Sequence, residues 1–168
     1  QCVVSMKASS VLETIEANEE FASKYDVPLH IGVTEAGPLI TGVVKSTLAF
    51  SKLLTEGIGS TIRVSLSSTP ENEVITGREI LHECGLRKGG VTLISCPRCG
   101  RLGFDVHGFV ERWQNELLSM KKDITVAIMG CVVNGPGEGK HADIGIAGAG
   151  DKAIIFKKGQ IIRTIDIK

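Results

Sequence analysis

The chain has 168 residues, of which 42% are hydrophobic and 4% aromatic, and its 19 basic side chains balance its 19 acidic ones. A neutral, aromatic-poor chain without a long apolar run lacks the features of nucleic-acid binders and of membrane-spanning proteins, so both classes are excluded. Three of the five cysteines lie beside Gly and Pro in loop-like sequence, which indicates a metal site in a soluble, cytosolic protein and not a disulfide framework.

The first seventy residues repeat a strand–helix pattern. Apolar runs at 2–6, 29–33 and 61–66 predict strands, and amphipathic stretches at 10–25 and from 39 to about Gly57 predict helices. Such alternation predicts a parallel sheet, either open or closed into a barrel. A barrel has about 250 residues, so this region is expected to hold the last three strand–helix units of one. Gln1 in place of an initiator Met suggests a piece of a longer protein.

Charged residues at the C-terminal ends of the three predicted strands are equally spaced along the chain: Lys7, Glu35 and Arg63. Thr34 and Ser65 stand close to two of them. In βα barrels the rim formed by these strand ends carries the chemistry. The alternative is that each charge only marks the solvated end of a strand, but three at one spacing favour a shared site.

A polar, Pro-containing segment at 67–73 predicts a domain boundary, which we place between residues 70 and 71, giving domains 1–70 and 71–168. Patterning in the second domain predicts helices at 73–84 and 104–120 and strands at 91–95, 124–129, 144–147, 153–156 and 161–165. This domain is therefore expected to be a compact α/β domain. In its second helix, four residues have the spacing of one buried stripe: Phe109, Trp113, Leu117 and Met120.

Cys96 and Cys99 are separated by two residues in a predicted turn, and Cys131 follows a predicted strand in a glycine-rich segment. This spacing allows two thiolates to bind one metal centre, but alone it also fits a redox dithiol. Three thiolates suit a cubane iron–sulfur cluster whose fourth iron needs another ligand. Zinc remains open at this point, with His107 or His141 as a fourth ligand. Two further cysteines are expected to be small core residues: Cys2 and Cys84.

Five segments carry a family resemblance. They are 95–101 (SCPRCGR), 129–139 (MGCVVNGPGEG), 5–9 (SMKAS), 30–37 (HIGVTEAG) and 61–66 (TIRVSL). In this order they closely resemble the 4-hydroxy-3-methylbut-2-enyl diphosphate synthases, the IspG/GcpE family, over essentially the whole chain. The resemblance implies the last three βα units of a TIM-type barrel followed by a compact α/β iron–sulfur domain.

The resemblance also implies a ligand set and a reaction. Cys96, Cys99 and Cys131 would hold three irons of a 4Fe-4S cluster, and Glu138 would hold the fourth. Carboxylate is a harder, more replaceable ligand than thiolate, which suits an iron that gives way to a substrate oxygen. The family's reaction is the two-electron reductive ring opening and dehydration of 2-C-methyl-D-erythritol 2,4-cyclodiphosphate in isoprenoid biosynthesis. Ferredoxin or flavodoxin is the implied electron donor.

By matched segment, the implied substrate-binding residues are Lys7, Thr34, Arg63, Ser65 and Asn134, and the implied proton donor is Glu35. Cationic side chains and hydroxyl donors are the expected partners of a diphosphate. The family resemblance further implies a homodimer for the full-length protein, in the bacterial cytoplasm or the plastid stroma. With upstream barrel strands missing, the chain alone is expected to be inactive.

A different class of function remains as the alternative. A non-catalytic metal-binding domain, either zinc-stapled or an electron carrier, would use the cysteines and leave Glu138 as an ordinary solvated acid.

Overall fold

The computed structural model describes residues 2–96, 100, 103–133, 135 and 137–166, with Glu138 described by its backbone only. The chain divides into two compact units, Gln1–Lys88 and Gly89–Lys168. Both combine helices with strands, so the α/β class expected from the sequence is confirmed. Within the described ranges, no helix has the length and apolar character needed to cross a membrane.

The first unit alternates helices and short strands. Its elements are α1 (Val11–Lys24), β1 (His30–Gly32), α2 (Leu39–Thr55), β2 (Thr61–Arg63) and α3 (Pro70–Glu83). Ser10 caps α1 by accepting a hydrogen bond from the Glu13 backbone N–H, and Pro70 occupies the first turn of α3, where a missing N–H costs nothing.

The strands of the first unit are parallel, as the alternation predicted. β1 pairs with β2, with Ile31 opposite Ile62, and the segment before α1 adds an isolated parallel bridge from Val4 to Leu29. The helices cover one face of these strands and bury a common apolar core. The fully buried members of this core are Ile31, Val33, Ala49, Phe50 and Leu53.

The two units divide later in the chain than the boundary that patterning placed at residues 70/71. Helix α3 belongs to the first unit because Ile80 is buried in the same core as Ile31 and Val64. The polar segment at 67–73 has the composition of a domain linker, but it contains the end of the loop between β2 and α3 and the start of α3, and both elements belong to the first unit.

The second unit is built on one five-stranded sheet. Its elements are β3 (Val91–Ser95), α4 (Val106–Ser119), β4 (Ile124–Met129), a short 3-10 helix (Glu138–His141), β5 (Ile144–Ala149), β6 (Lys152–Lys157) and β7 (Gln160–Asp166). The strand order follows the chain, with parallel pairing from β3 to β5 and antiparallel pairing from β5 to β7. Phe156, Met129, Ala127 and Ala147 form the centre of its core.

The prediction that α4 buries a stripe of four side chains is wrong. Trp113 and Met120 are each 37% exposed, and Val106 in the first turn is the buried residue of this helix. The aromatic side chains instead contact one another, with ring centroids of Phe109 and Trp113 6.4 Å apart and the Arg112 guanidinium 5.3 Å above the Trp113 ring. Helical spacing identifies a shared face, but burial requires a partner surface for that face.

The two cysteines expected in the core differ from each other. Cys84 is half-buried and packs against the core of the first unit, which agrees with the expectation. Cys2 is exposed, which disagrees with the expectation; the bridge that joins this segment to the neighbouring strand begins only at Val4.

Candidate functional site

Lys7 is positioned by hydrogen bonds to both of its neighbours in the chain. The buried Asn18 of α1 donates from Nδ2 to the Met6 carbonyl at 2.8 Å. Thr14, also buried in α1, accepts at Oγ1 from the Ala8 N–H at 3.3 Å, and its hydroxyl lies 3.2 Å from the Ala8 carbonyl and 2.8 Å from the Ser10 carbonyl of its own helix. Buried polar side chains generally have hydrogen-bond partners, and those of Asn18 and Thr14 are found in the segment around Lys7. Here they hold the Lys7 backbone against α1 on either side.

Gly32 lies close to both Lys7 and Arg63. In the β1–β2 register Gly32 lies opposite Arg63, and the Arg63 Nη2 donates to the Val33 carbonyl at 3.4 Å. A Cβ added at Gly32 would lie 3.0 Å from the Lys7 Cε and 3.0 Å from the Arg63 carbonyl oxygen. Both contacts are tighter than most Cβ contacts in proteins, so a side chain at Gly32 would have to displace the Lys7 side chain or the Arg63 carbonyl by a few tenths of an ångström.

The two cations reinforce each other's effect on an anion. Burial lowers the pKa of Lys7, and the nearby charge of Arg63 lowers it further. Among the described residues, neither cation forms an ion pair with a carboxylate. Two close positive charges without a counterion repel each other and attract an anion, so this corner of the sheet is suited to bind one.

The loops that follow β1 and β2 lie side by side. A parallel bridge joins Pro38 to Ser67, and the Ser67 N–H donates to the Gly37 carbonyl at 3.0 Å. Glu35 is exposed and has a φ of +50°, in the left-handed region that non-glycine residues seldom adopt. Strained backbone of this kind clusters at functional sites.

Thr34 and Ser65 are half-buried in these same two loops. The Thr34 N–H donates to the Ala8 carbonyl at 2.9 Å, which links the loop after β1 to the segment of Lys7. The five rim residues predicted from the sequence therefore follow parallel strands at the same end of the sheet. Their roles in binding or catalysis stay predictions.

One substitution tests the geometry of this rim. Gly32→Ala is expected to displace the Lys7 side chain and to weaken binding of inorganic pyrophosphate about tenfold, since a charge-assisted hydrogen bond is worth about 1.5–3 kcal/mol and would be only partly lost. Isothermal titration calorimetry measures this affinity. Gly77→Ala in α3 is the matched control, because a Cβ there makes only ordinary 3.5 Å contacts to Ile62 and Val64. Equal losses in both variants would contradict the assignment.

In the second unit, two predicted cysteine ligands follow neighbouring parallel strands. Cys96 comes directly after β3, and Cys131 comes shortly after β4, with Ser95 opposite Ile128 in the register. The Cys96 N–H donates to the Ile128 carbonyl at 3.3 Å, which continues the β3–β4 ladder to the cysteine. The carboxyl ends of parallel strands meet at one edge of a sheet, so both cysteine segments start from the same edge.

The surroundings of these cysteines fit a thiolate ligand. The Gly130 N–H donates to the Cys96 Sγ at 3.0 Å, and backbone N–H donors of this kind stabilise negative charge on sulfur. Cys96 is half-buried and packs against the core of the second unit, and Cys131 is 6% exposed. A partly or fully buried cysteine at this edge, with a backbone donor on the Cys96 sulfur, is compatible with a metal-bound thiolate.

Glycines allow the chain to fold closely around this edge. A Cβ at Gly148 of β5 would lie 2.5 Å from the Gly130 carbonyl oxygen and 2.5 Å from the Gly103 carbonyl carbon. The Gly103 N–H in turn donates to the Gly130 carbonyl at 2.8 Å. Three backbone segments therefore touch here, which no larger residue at 148 would permit.

Several predicted site residues fall outside this geometry. Cys99 and Asn134 lie outside the described residues, and Glu138 is described only as the first residue of the 3-10 helix. Over the part of the chain that is described, no three His, Cys, Asp or Glu side chains converge as a metal site. The alternative zinc ligands His107 and His141 are both exposed.

The sequence interpretation singled out neither His30 nor Gly32, two residues of β1 that the structure places near Lys7 and Arg63. Both lie on the same face of β1 as the rim cations, because side chains two residues apart in a strand point the same way. Polar or small residues recur at this spacing in all three strand segments, at Ser5 with Lys7, His30 with Gly32, and Thr61 with Arg63. That alternation was the available signal.

Comparisons with known proteins agree with both halves of this description. Residues 1–78 match the family model of the GcpE TIM-barrel domain, and residues 92–168 match that of the GcpE protein C-terminal domain. The two matched regions leave residues 79–91 between them, which include the end of α3, and otherwise correspond to the two compact units.

Three similar curated relatives carry the name 4-hydroxy-3-methylbut-2-en-1-yl diphosphate synthase (flavodoxin). The chain is 68% identical to that of Treponema pallidum over 166 residues and 71% identical to that of Treponema denticola, covering 99% of this chain in each case. It is 52% identical to the Thermodesulfovibrio yellowstonii protein over 162 residues. The chain spans only 41%, 43% and 46% of these three relatives, less than half their length.

Proposed function

Because the chain belongs to the GcpE family, we propose that it is the C-terminal portion of an enzyme that converts 2-C-methyl-D-erythritol 2,4-cyclodiphosphate to 4-hydroxy-3-methylbut-2-enyl diphosphate in isoprenoid biosynthesis. The observation that carries this proposal is the placement of Cys96 and Cys131 at one edge of the sheet, with a backbone N–H donor on the Cys96 sulfur. The first unit contributes the last βα units of a TIM-type barrel, and the second is the iron–sulfur domain.

The proposed cofactor is a 4Fe-4S cluster. Cys96, Cys99 and Cys131 would hold it by three thiolates, and Glu138 would provide the fourth, replaceable ligand. When bound, the cluster supplies two electrons, one at a time, to a carbon–oxygen bond whose leaving group is poor at neutral pH. The chain's contribution at this end is to bury Cys131, to half-bury Cys96 and to donate the Gly130 N–H to the Cys96 sulfur.

The first unit would bind the diphosphate. Lys7 and Arg63 would supply positive charge, with no ion pair to a carboxylate within the described ranges, and Thr34 and Ser65 would supply hydroxyl donors from the neighbouring loops. Asn134 of the second unit is proposed as an additional amide donor.

Glu35 is the proposed proton donor. The overall reaction consumes two electrons and releases water, so a group must protonate the departing oxygen. Its exposure at the rim leaves it accessible to substrate, and its left-handed backbone fixes the direction in which its side chain leaves the loop.

The proposed partners follow from the same assignment. Flavodoxin is the proposed electron donor, as the printed names of the relatives include it, and ferredoxin has the same one-electron chemistry. A homodimer in the bacterial cytoplasm is proposed for the full-length protein. The non-catalytic metal-binding alternative is not favoured, since the matched family regions cover the rim as well as the cysteine domain.

The test uses a protein of the relatives' full length that carries this chain. After anaerobic reconstitution with iron and sulfide, it is expected to show broad visible absorbance and to convert the cyclic diphosphate to the open allylic diphosphate, followed by ³¹P NMR. Conversion should require reduced flavodoxin. A reconstituted, coloured protein that leaves the cyclic diphosphate unchanged would refute the proposal, and a colourless zinc-loaded protein would support the non-catalytic alternative.

A further inference from the structure

A second layer of polar side chains lies next to the Lys7–Arg63 pair on the same face of the strands. His30 is opposite Thr61 in the register, and its Nδ1 lies 2.8 Å from the Thr61 Oγ1. On the other side, the Ser5 hydroxyl donates to the His30 carbonyl at 3.0 Å. Two residues further along each strand segment come Lys7, Gly32 and Arg63. The His30 imidazole therefore lies within hydrogen-bond distance of the Thr61 hydroxyl, two residues before the position of Gly32 between the two cations.

His30 is subject to the charge of both cations. It is half-buried, and burial lowers its pKa, which the charges of Lys7 and Arg63 lower further. Lys7 belongs to the segment before α1 and Arg63 to β2, the elements that flank β1. The helices pack against the opposite face of β1 through Ile31 and Val33. In the described structure, the charged groups that act on the ring are therefore both positive.

We propose that His30 is a third member of this anion site and that it takes up a proton when an anion binds between Lys7 and Arg63. The inference rests on the proposed function, because it takes the Lys7–Arg63 pair as the place where the diphosphate binds. It adds a positioning residue whose charge depends on occupancy, neutral in the empty site and positive beside the bound anion.

The coupling follows from electrostatics. In the empty site the two cations disfavour an imidazolium, and a doubly charged anion placed between them cancels that repulsion. His30 then binds its proton more tightly in the complex than in the free protein, so linkage requires the anion to bind more tightly once the ring is protonated. Anion affinity should therefore rise as the pH falls through the range in which His30 titrates.

Sulfate is the probe, because it keeps its charge across this range, so any proton taken up on binding is bound by the protein and not by the ligand. The experiment is isothermal titration calorimetry on the full-length protein, repeated in buffers of different ionisation enthalpy. Wild type is expected to gain about tenfold in sulfate affinity between about pH 8 and about pH 5.5, the equivalent of a shift of about one pKa unit. It should also take up a fraction of a proton per sulfate near about pH 6.

His30→Asn is the diagnostic variant, since its amide can still reach the Thr61 hydroxyl but does not titrate. It is expected to lose the proton uptake and most of the pH dependence of sulfate affinity, whatever its affinity at about pH 8. Thr61→Val, which removes the hydroxyl and keeps the shape, provides a second check: it should retain the proton uptake with a changed apparent pKa. Circular dichroism confirms that each variant is folded.

The outcomes separate the two levels of the proposal. Undiminished proton uptake in His30→Asn, while Lys7→Met abolishes sulfate binding, overturns the role of His30 and leaves the anion site intact. Sulfate binding that survives in both Lys7→Met and Arg63→Gln overturns the anion site, and with it both this inference and the substrate-binding part of the proposed function.

Discussion

Cys96→Ser is expected to lower bound iron and sulfide at least about tenfold, because a serine hydroxyl stays protonated and is a poor ligand for iron. Cys96 comes directly after β3, and its sulfur accepts a hydrogen bond from the Gly130 N–H at 3.0 Å. The shorter C–O bond would also withdraw the ligand atom from that donor. Iron and acid-labile sulfide assays after anaerobic reconstitution measure the loss.

Cys84→Ser is the matched control for this experiment. Cys84 ends α3 in the first unit and packs against that unit's apolar core, so its replacement should leave the iron content unchanged. Full iron and sulfide content in Cys96→Ser would overturn the ligand assignment. Equal losses in both variants would mean that the cysteines act on folding and not on the cluster.

The 168-residue chain alone is expected to turn over the cyclic diphosphate at least about a hundredfold more slowly than a protein of the relatives' full length under the same assay. A barrel rim is built from about eight strand ends, and the described first unit supplies three strand segments. Catalysis depends on holding the substrate in a reactive position, and displacement by about 1 Å costs about a hundredfold. An incomplete rim leaves the diphosphate without most of its partners.

The comparison is informative when the isolated chain is folded and loaded. Its iron content and circular dichroism should therefore be recorded beside the rate, with the reduced donor and substrate held at the same concentrations. A folded, iron-loaded chain that turns over at the full-length rate would place the whole substrate site within these residues and refute the barrel-remnant interpretation.

Local features of the sequence were sufficient for most of the elements and for the family, although the strand predicted at 2–6 forms only the isolated bridge at Val4. Apolar runs separated by amphipathic stretches predicted β1, α2 and β2 in order, and the parallel pairing of those strands is confirmed. The cysteine segments were specific enough to indicate the family, which the matches to both GcpE domain models confirm. These features depend on residues close together in the chain, so they are readable without knowing what packs against them.

The grouping of elements into units could not be predicted in this way. The polar segment before α3 has the composition of a linker, yet Ile80 in that helix is buried with Ile31 and Val64 of the preceding strands. The Phe109–Trp113 face of α4 has the spacing of a core stripe, yet it is partly exposed. Burial depends on which surfaces meet, and that is a property of long-range contacts.

The order of the residues along the chain already identifies the charged, thiol and hydroxyl side chains at the strand ends. Three contacts become visible only in the folded chain: Gly32 lies against the Lys7 side chain, His30 lies within hydrogen-bond distance of Thr61, and Gly130 donates to the Cys96 sulfur. These contacts join residues far apart in the chain through strand register. A shift of one residue would turn each side chain to the other face, so their geometry exists only once the strands have paired.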